Sequence, residues 1–213
     1  MLNDRIILVI FKDREDAGKK LGTLLKKYAG SNTAVISLLR GGVVVGHEVA
    51  RILKCSHYPL PVAKISSPIQ PELAIGALCF KEIFLDQAIL KPYDFDKTAV
   101  VKQINAARKK FSSYLKRFSI KKSAFAGLNN TVLILVDDGI ATGATMKAGA
   151  LFLKTISPKK IVAAAPVGPA DFDETGFDEV VIYYRDPFLS AISRFYINFP
   201  QVEDEQIKEL FNK

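Results

Sequence analysis

Residues 132–145, Val-Leu-Ile-Leu-Val-Asp-Asp-Gly-Ile-Ala-Thr-Gly-Ala-Thr, place three structural events next to one another. Val132 to Val136 is too short and too evenly apolar for a surface helix and reads as a strand buried on both faces. Asp137 and Asp138 then stand at its carboxyl end, a turn of Gly, Ala and Thr follows, and Met146 to Thr155 carries a helical pattern. A strand, a small-residue loop and a helix N-terminus make a cradle for an anion. Backbone N–H groups point into the loop, the helix dipole favours negative charge, and small side chains let a phosphate come close. Carboxylates beside such a cradle call for hydroxyls or a metal, not for more phosphate. A phosphorylated sugar meets both requirements.

The rest of the chain repeats the alternation of strand and helix. Ile6 to Phe11 is a short apolar run, and Asp13 is an N-cap for a helix to about Tyr28, with Asp16 three residues on. Val35 to Leu39 reads as a strand, broken by Arg40-Gly41-Gly42, and Val43 to Leu53 as the next helix. His57 to Lys64 reads as a second strand, with Pro59 and Pro61 implying an edge position or a bent start. Ser66 to Pro71 is an irregular loop, Leu73 to Phe80 a strand, and Thr98 to Phe118 a helix with Ile104, Ala107, Phe111, Leu115 and Phe118 on one side. Strands over 161–166 and 180–184 follow, then an aromatic tail with Phe188, Phe195, Tyr196 and Phe199. This order implies an α/β fold, a mostly parallel sheet covered by helices on both faces. Ligands of such sheets bind at strand carboxyl ends, where Arg40-Gly41-Gly42, Lys64 and Asp137-Asp138 all fall in this reading.

The 213 residues, 49% hydrophobic, suit one domain with a full core. No apolar run approaches the roughly 20 residues of a membrane span, and the start lacks a signal-peptide pattern. Cys55 and Cys79 are too few for a disulfide framework and are expected to be core thiols. A cytoplasmic protein is therefore expected. The charge is regional: nine Lys or Arg and no acid lie between Lys97 and Val136, against a formal net charge of +8 for the whole chain. Arg108, Lys109, Lys110, Lys116, Arg117, Lys121 and Lys122 make a solvated face that steers anionic ligands, with RNA contact as the less favoured reading. His47 and His57 are not spaced as a metal pair and are read as structural.

An acidic strand end also suits a phosphate-loop ATPase, but Gly41 to Gly46 continues with His47-Glu48 and lacks the Lys that fold needs. The glycine fingerprint of a dinucleotide site is missing as well. Val136-Asp-Asp-Gly-Ile-Ala-Thr-Gly-Ala-Thr145 resembles the 5-phosphoribosyl-1-pyrophosphate (PRPP) signature of type I phosphoribosyltransferases, and Leu39-Arg40-Gly41-Gly42 is similar to their pyrophosphate loop. Asp13-Arg-Glu-Asp-Ala-Gly18, Pro71-Glu-Leu-Ala-Ile-Gly-Ala77 and Tyr196-Ile-Asn-Phe-Pro-Gln-Val202 resemble a bacterial subgroup of unassigned acceptor.

The resemblance implies a single domain over 1–213, with a small hood from about 1–12 and 184–213 and a mobile loop over about 64–73. It implies transfer of phosphoribose from PRPP to a small nitrogenous acceptor by a homo-oligomer. Asp137 and Asp138 would accept hydrogen bonds from the ribose 2- and 3-hydroxyls. Ala141, Thr142, Gly143, Ala144 and Thr145 would hold the 5-phosphate, and Leu39, Arg40, Gly41 and Gly42 the pyrophosphate, with a cis peptide at Leu39–Arg40. Mg²⁺ would be held through PRPP and water, with no direct protein ligand. Arg40 and Lys64 would assist the leaving group. Hypoxanthine-guanine enzymes carry Asp where this chain has Ala141, so a 6-oxopurine is disfavoured. Glu72, Arg185 and Phe188 are the expected acceptor contacts. The alternative is a non-catalytic binder of PRPP or nucleotide that acts on RNA or a partner protein.

Overall fold

In the computed structural model residues 10–30, 32–93 and 95–211 are described. Their elements are α1 (Arg14–Leu24), β1 (Thr33–Leu38), α2 (Gly42–Leu53), β2 (Ser56–Leu60), β3 (Ala63–Ser66), β4 (Ala74–Cys79), β5 (Glu82–Leu85), α3 (Gln87–Tyr93), α4 (Lys97–Arg117), β6 (Val132–Val136), α5 (Ala144–Lys154), β7 (Lys160–Pro169), β8 (Glu179–Asp186) and α6 (Asp204–Phe211).

Five strands form an all-parallel sheet in the order β2-β1-β6-β7-β8. Alternating residues of each strand feed opposite faces, because the side-chain period of a strand is two. Val35, Ile134 and Val162 meet Leu21, Leu25, Val45 and Val49 of α1 and α2. Ile36, Leu135 and Ala163 meet Met146 and Phe152 of α5 on the other face. Both faces are covered, which explains why β6 is apolar throughout and β1 is apolar but for Thr33 and Ser37. From β1 the order runs to β2 on one side and to β6, β7 and β8 on the other. The switch point therefore lies between β1 and β6, where Ser37 pairs with Val136.

The stretch 57–64 departs from the expectation of one strand. Pro61 and Val62 separate β2, at the sheet edge, from β3, which leaves the parallel sheet. Proline has no N–H to give a ladder, so the chain turns there. β3, β4 and β5 form a separate antiparallel sheet. Lys64 accordingly lies near the start of β3 and not at the carboxyl end of a parallel strand. α4 seals this small sheet, burying Ala107 and Phe111 against Ala63, Ile65, Ile75 and Leu78. Asp96 caps α4 by accepting from the Ala99 N–H at 3.1 Å.

Two further differences concern helix ends and the tail. α1 stops at Leu24 and a 3₁₀ turn over Lys26–Tyr28 completes the expected helix. The tail contains α6, whose Ile207 packs with Val202 on Val43 and Val44 of α2. Near the chain ends, Phe11 bridges Tyr196 in parallel, and Phe11, Phe195 and Tyr196 pack with Val167 as one cluster. Residues 1–9 and 212–213 of the expected hood, and with them most of the apolar run 6–11, lie outside the described residues. Cys79 is fully buried, its thiol donating to the Pro61 carbonyl, whereas Cys55 is half-buried.

Candidate active site

One cleft of about 400 Å³ opens at the switch point. Leu39, Arg40 and Gly41 form one wall, Asp137 and Asp138 the floor, and Ala141 to Thr145 the opposite wall. Lys64 on β3 also faces it, as do Lys110 and Tyr114 on α4 and Ile192 and Phe199 from the tail. Residues 39–41, 64, 137–139 and 141–145 thus meet in one place, while Gly42 does not line the cleft and packs against Val136 and Asp137.

The Leu39–Arg40 peptide is cis. Behind it, two glycines let the turn press against the acidic strand end. A Cβ on Gly41 would fall on the Asp138 carboxylate, and one on Gly42 would come within 2.8 Å of the Val136 carbonyl oxygen. Gly41→Ala is expected to displace Asp138 and cost roughly 1–3 kcal/mol, as overpacking of a closed site does. Thermal melting of that variant against wild type measures it. On the opposite wall Gly143 has φ +80°, a left-handed conformation, and its α-carbon faces the Phe172 ring where no Cβ fits. Gly143 brings no capping side chain to the start of α5, where the Ala144 N–H donates to the Thr142 hydroxyl at 3.4 Å, and a helix N-terminus of this kind favours an anion.

The two carboxylates are unlike each other. Burial pushes the Asp137 carboxyl well above the usual carboxylate range, and the neighbouring Asp138 charge pushes the same way. The Asp138 N–H, donating to Asp137 at 2.9 Å, and Lys64 oppose that shift. Asp138 is instead held by Arg14, whose Nε donates to its Oδ2 at 2.7 Å. The same guanidinium donates to the Pro200 carbonyl at 2.7 Å and lies 3.7 Å over the Phe199 ring. Tyr196 donates its hydroxyl to the Asp138 carbonyl at 2.6 Å, and burial pushes its phenol up so that it stays a donor. Sequence reasoning gives none of these residues a role, although Arg14 and the 196–202 stretch lie in the two patches that resemble the subgroup. Those patches converge on Asp138.

Arg40 is partly occupied. Its guanidinium lies 3.6 Å from Asp204 of α6, which also pairs with Arg117 at 2.9 Å. Gln201, with its amide oxygen turned inward, accepts from Arg40 too. Glu72, Arg185 and Phe188 are not among the cleft-lining residues. Glu72 is exposed on the loop before β4, Arg185 pairs with Glu174 at 2.6 Å, and Phe188 is 72% exposed. The apolar surface facing the cleft includes Ile192, Phe199 and Tyr114, together with Leu38, Leu39, Val62 and Ala74.

The described residues contain no group of three or more His, Cys, Asp or Glu able to hold a metal. Two carboxylates, one of them paired with arginine, fit a cation carried mainly by substrate oxygens and water rather than a protein cage. No helix among the described residues is long and apolar enough to cross a membrane.

A parallel sheet with paired acids and a small-residue loop lining a cleft at its switch point defines a ligand-cleft α/β domain. A family model described as phosphoribosyl transferase domain matches residues 13–180, and the chain belongs to that family. Two Mycobacterium tuberculosis proteins, of strains CDC 1551 and H37Rv, provisionally named phosphoribosyl transferases, are each 33% identical over 202 residues. The match covers 93% of this chain and 45% of each relative, so the chain spans about half the length of the curated relatives it matches. The crystal structure of TT1426 from Thermus thermophilus superposes with a TM-score of 0.73 at 29% identity, covering 95% of this chain and 97% of that one.

Proposed function

We propose that this chain transfers phosphoribose from PRPP to a nitrogenous acceptor and releases pyrophosphate. The observation that carries the proposal is the cleft itself, in which residues 39–41 of the turn, the Asp137-Asp138 pair and the 141–145 loop surround one cavity. PRPP has the three corresponding parts: a diphosphate, two ribose hydroxyls and a 5-phosphate. The C1–oxygen bond breaks, the pyrophosphate takes the electron pair, and the acceptor nitrogen bonds to C1 and sheds its proton.

Each residue acts on one part of that change. The start of α5 and the Thr142 and Thr145 hydroxyls hold the 5-phosphate. Asp137 and Asp138 accept from the ribose hydroxyls and fix the ring. Leu39 to Gly42 and Lys64 receive the diphosphate, where the charge grows as the bond breaks and fixed donors act most strongly. Asp137 and Asp138 would lie beside a Mg²⁺ brought in with PRPP, which would supply charge neutralisation for the leaving group. Phe199 and Ile192 form an apolar wall for the acceptor. Glu72, Arg185 and Phe188 reach the acceptor only if their segments approach the cleft on binding. Ala141, lacking a carboxylate, supports an acceptor other than a 6-oxopurine.

Asp137→Asn and Asp138→Asn each replace a hydroxyl acceptor with an amide of the same shape. Each is expected to weaken Mg²⁺-dependent PRPP binding by roughly tenfold or more, because the amide keeps one acceptor oxygen and presents an NH₂ donor where the hydroxyls need an acceptor. Calorimetry with both variants measures this, and unchanged binding in both overturns the proposal. Pyrophosphate release across purines, pyrimidines and related amides then identifies the acceptor. Binding without release for every acceptor would favour a non-catalytic binder.

A further inference from the structure

We infer that Lys110, on α4, is a second lysine for the diphosphate of the donor, acting with Lys64. The inference deepens the proposed function and rests on it. α4 follows the antiparallel sheet and is basic along its exposed side, so Lys110 is easily passed over as one solvated charge among many. Its position separates it from the others. Phe111, its neighbour, is buried in the small sheet's core, which turns that edge of the helix inward. Lys110 and Tyr114, one helical turn apart, both line the cleft, the ammonium 6.0 Å from the Tyr114 ring centroid. All three of Arg108, Lys109 and Lys110 are exposed, but Arg108 and Lys109 do not line the cleft.

Charge accounting at the cleft says what Lys110 meets. Asp138 is matched by Arg14, and burial beside Asp138 pushes the Asp137 carboxyl up while Lys64 opposes that shift. Arg40 is shared with Asp204. Lys64 and Lys110 have no carboxylate within ion-pair distance among the described residues, so the cleft keeps two lysines at one end that suit a polyanion. That end belongs to the pyrophosphate turn. The Leu39 N–H donates to the Leu60 carbonyl at 3.1 Å, and the chain from Leu60 continues directly into β3, which carries Lys64 and on which α4 packs. The 5-phosphate loop, by contrast, is supported by α5 and Phe172.

Lys110→Met keeps the apolar stem and removes the charge, and Lys109→Met is the matched control on the same helix. Calorimetry with magnesium pyrophosphate, PRPP and ribose 5-phosphate is expected to show pyrophosphate and PRPP binding weakened roughly tenfold in Lys110→Met. Ribose 5-phosphate binding in Lys110→Met, and all three ligands in Lys109→Met, should stay within about twofold, as expected for long-range screened charge alone. Lys110→Arg should recover most of the loss. Wild-type pyrophosphate affinity in Lys110→Met, or an equal loss for ribose 5-phosphate or in Lys109→Met, overturns the role of Lys110 while leaving the proposed function standing. Failure of the wild-type protein to bind PRPP or pyrophosphate overturns both.

Discussion

Arg14→Met should cost about 3–5 kcal/mol of folding stability, the usual penalty for stranding one partner of a buried ion pair. The two side chains are 10% and 16% exposed, so solvent screening does little to soften the loss. Methionine also removes the donor to Pro200 and the cation over Phe199, which together tie the 196–202 stretch to Asp138. Arg14→Lys retains the charge but not the fork that reaches Asp138 and Pro200 at once, and should recover only part of the loss. Urea unfolding of Arg14→Met, Asp138→Asn and the double variant separates pairing from packing. If the stranded carboxylate is the main penalty, adding Asp138→Asn to Arg14→Met restores stability or leaves it level. A penalty under about 1 kcal/mol for Arg14→Met would place the pair among weak surface bridges. The same variant should weaken PRPP binding, since Asp138 would lose the contact that orients it.

That pair also marks the boundary of what is legible from the sequence. The 132–145 stretch can be read because its elements are adjacent: strand, acids, loop and helix fall in one window with their own periodicities. The 39–42 turn is legible for the same reason, and its cis peptide stands where expected. Arg14 meets Asp138 across 124 residues of sequence, and nothing local to Asp13-Arg-Glu-Asp distinguishes an arginine aimed inward from one facing solvent. The N-cap is visible, and Asp16 does donate its N–H to Asp13 at 2.9 Å, but a cap fixes a helix start and not which neighbours it meets. Lys110 is hidden by its own surroundings, a helix rich in lysine whose rotation depends on a sheet the strand pattern does not announce. Pro61 suits a bend within one strand as well as a break between two, and only the second gives that sheet. α6 has a local signal, with Ile207, Leu210 and Phe211 at helical spacing, that the aromatic residues just before it overshadow.

Acidification should destabilise this fold through His57 before the paired carboxylates respond. His57 Nε2 lies 2.7 Å from Ser37 Oγ, its Nδ1 is buried without a hydrogen-bond partner among the described residues, and its ring stands 4.6 Å from that of Phe211. Burial, and secondarily the nearby His47, hold the imidazole down to about 3, against an ordinary value of 6.5. The unfolded chain therefore takes up a proton below about pH 6.5 that the folded protein refuses until near pH 3, so stability falls with pH across that window. The slope is about 1.4 kcal/mol per pH unit where the difference is complete, or roughly 2–3 kcal/mol between pH 6.5 and 4.5. Asp173 and Glu179, both lowered to about 2 by lysine partners and neighbouring donors, lose their contributions only below about pH 4.5. Asp137 has the opposite sign, because a raised carboxyl gains a proton first in the folded state and favours folding as pH falls. Comparison of wild type with His57→Gln cancels the carboxylates: the glutamine can keep the bond to Ser37 but cannot titrate. Urea midpoints at pH 7.0 and 4.5 should show wild type losing about 2–3 kcal/mol more than the variant. Equal losses in both would mean that solvent reaches the ring in the folded state, and that the pocket between Ser37 and Phe211 is open rather than closed.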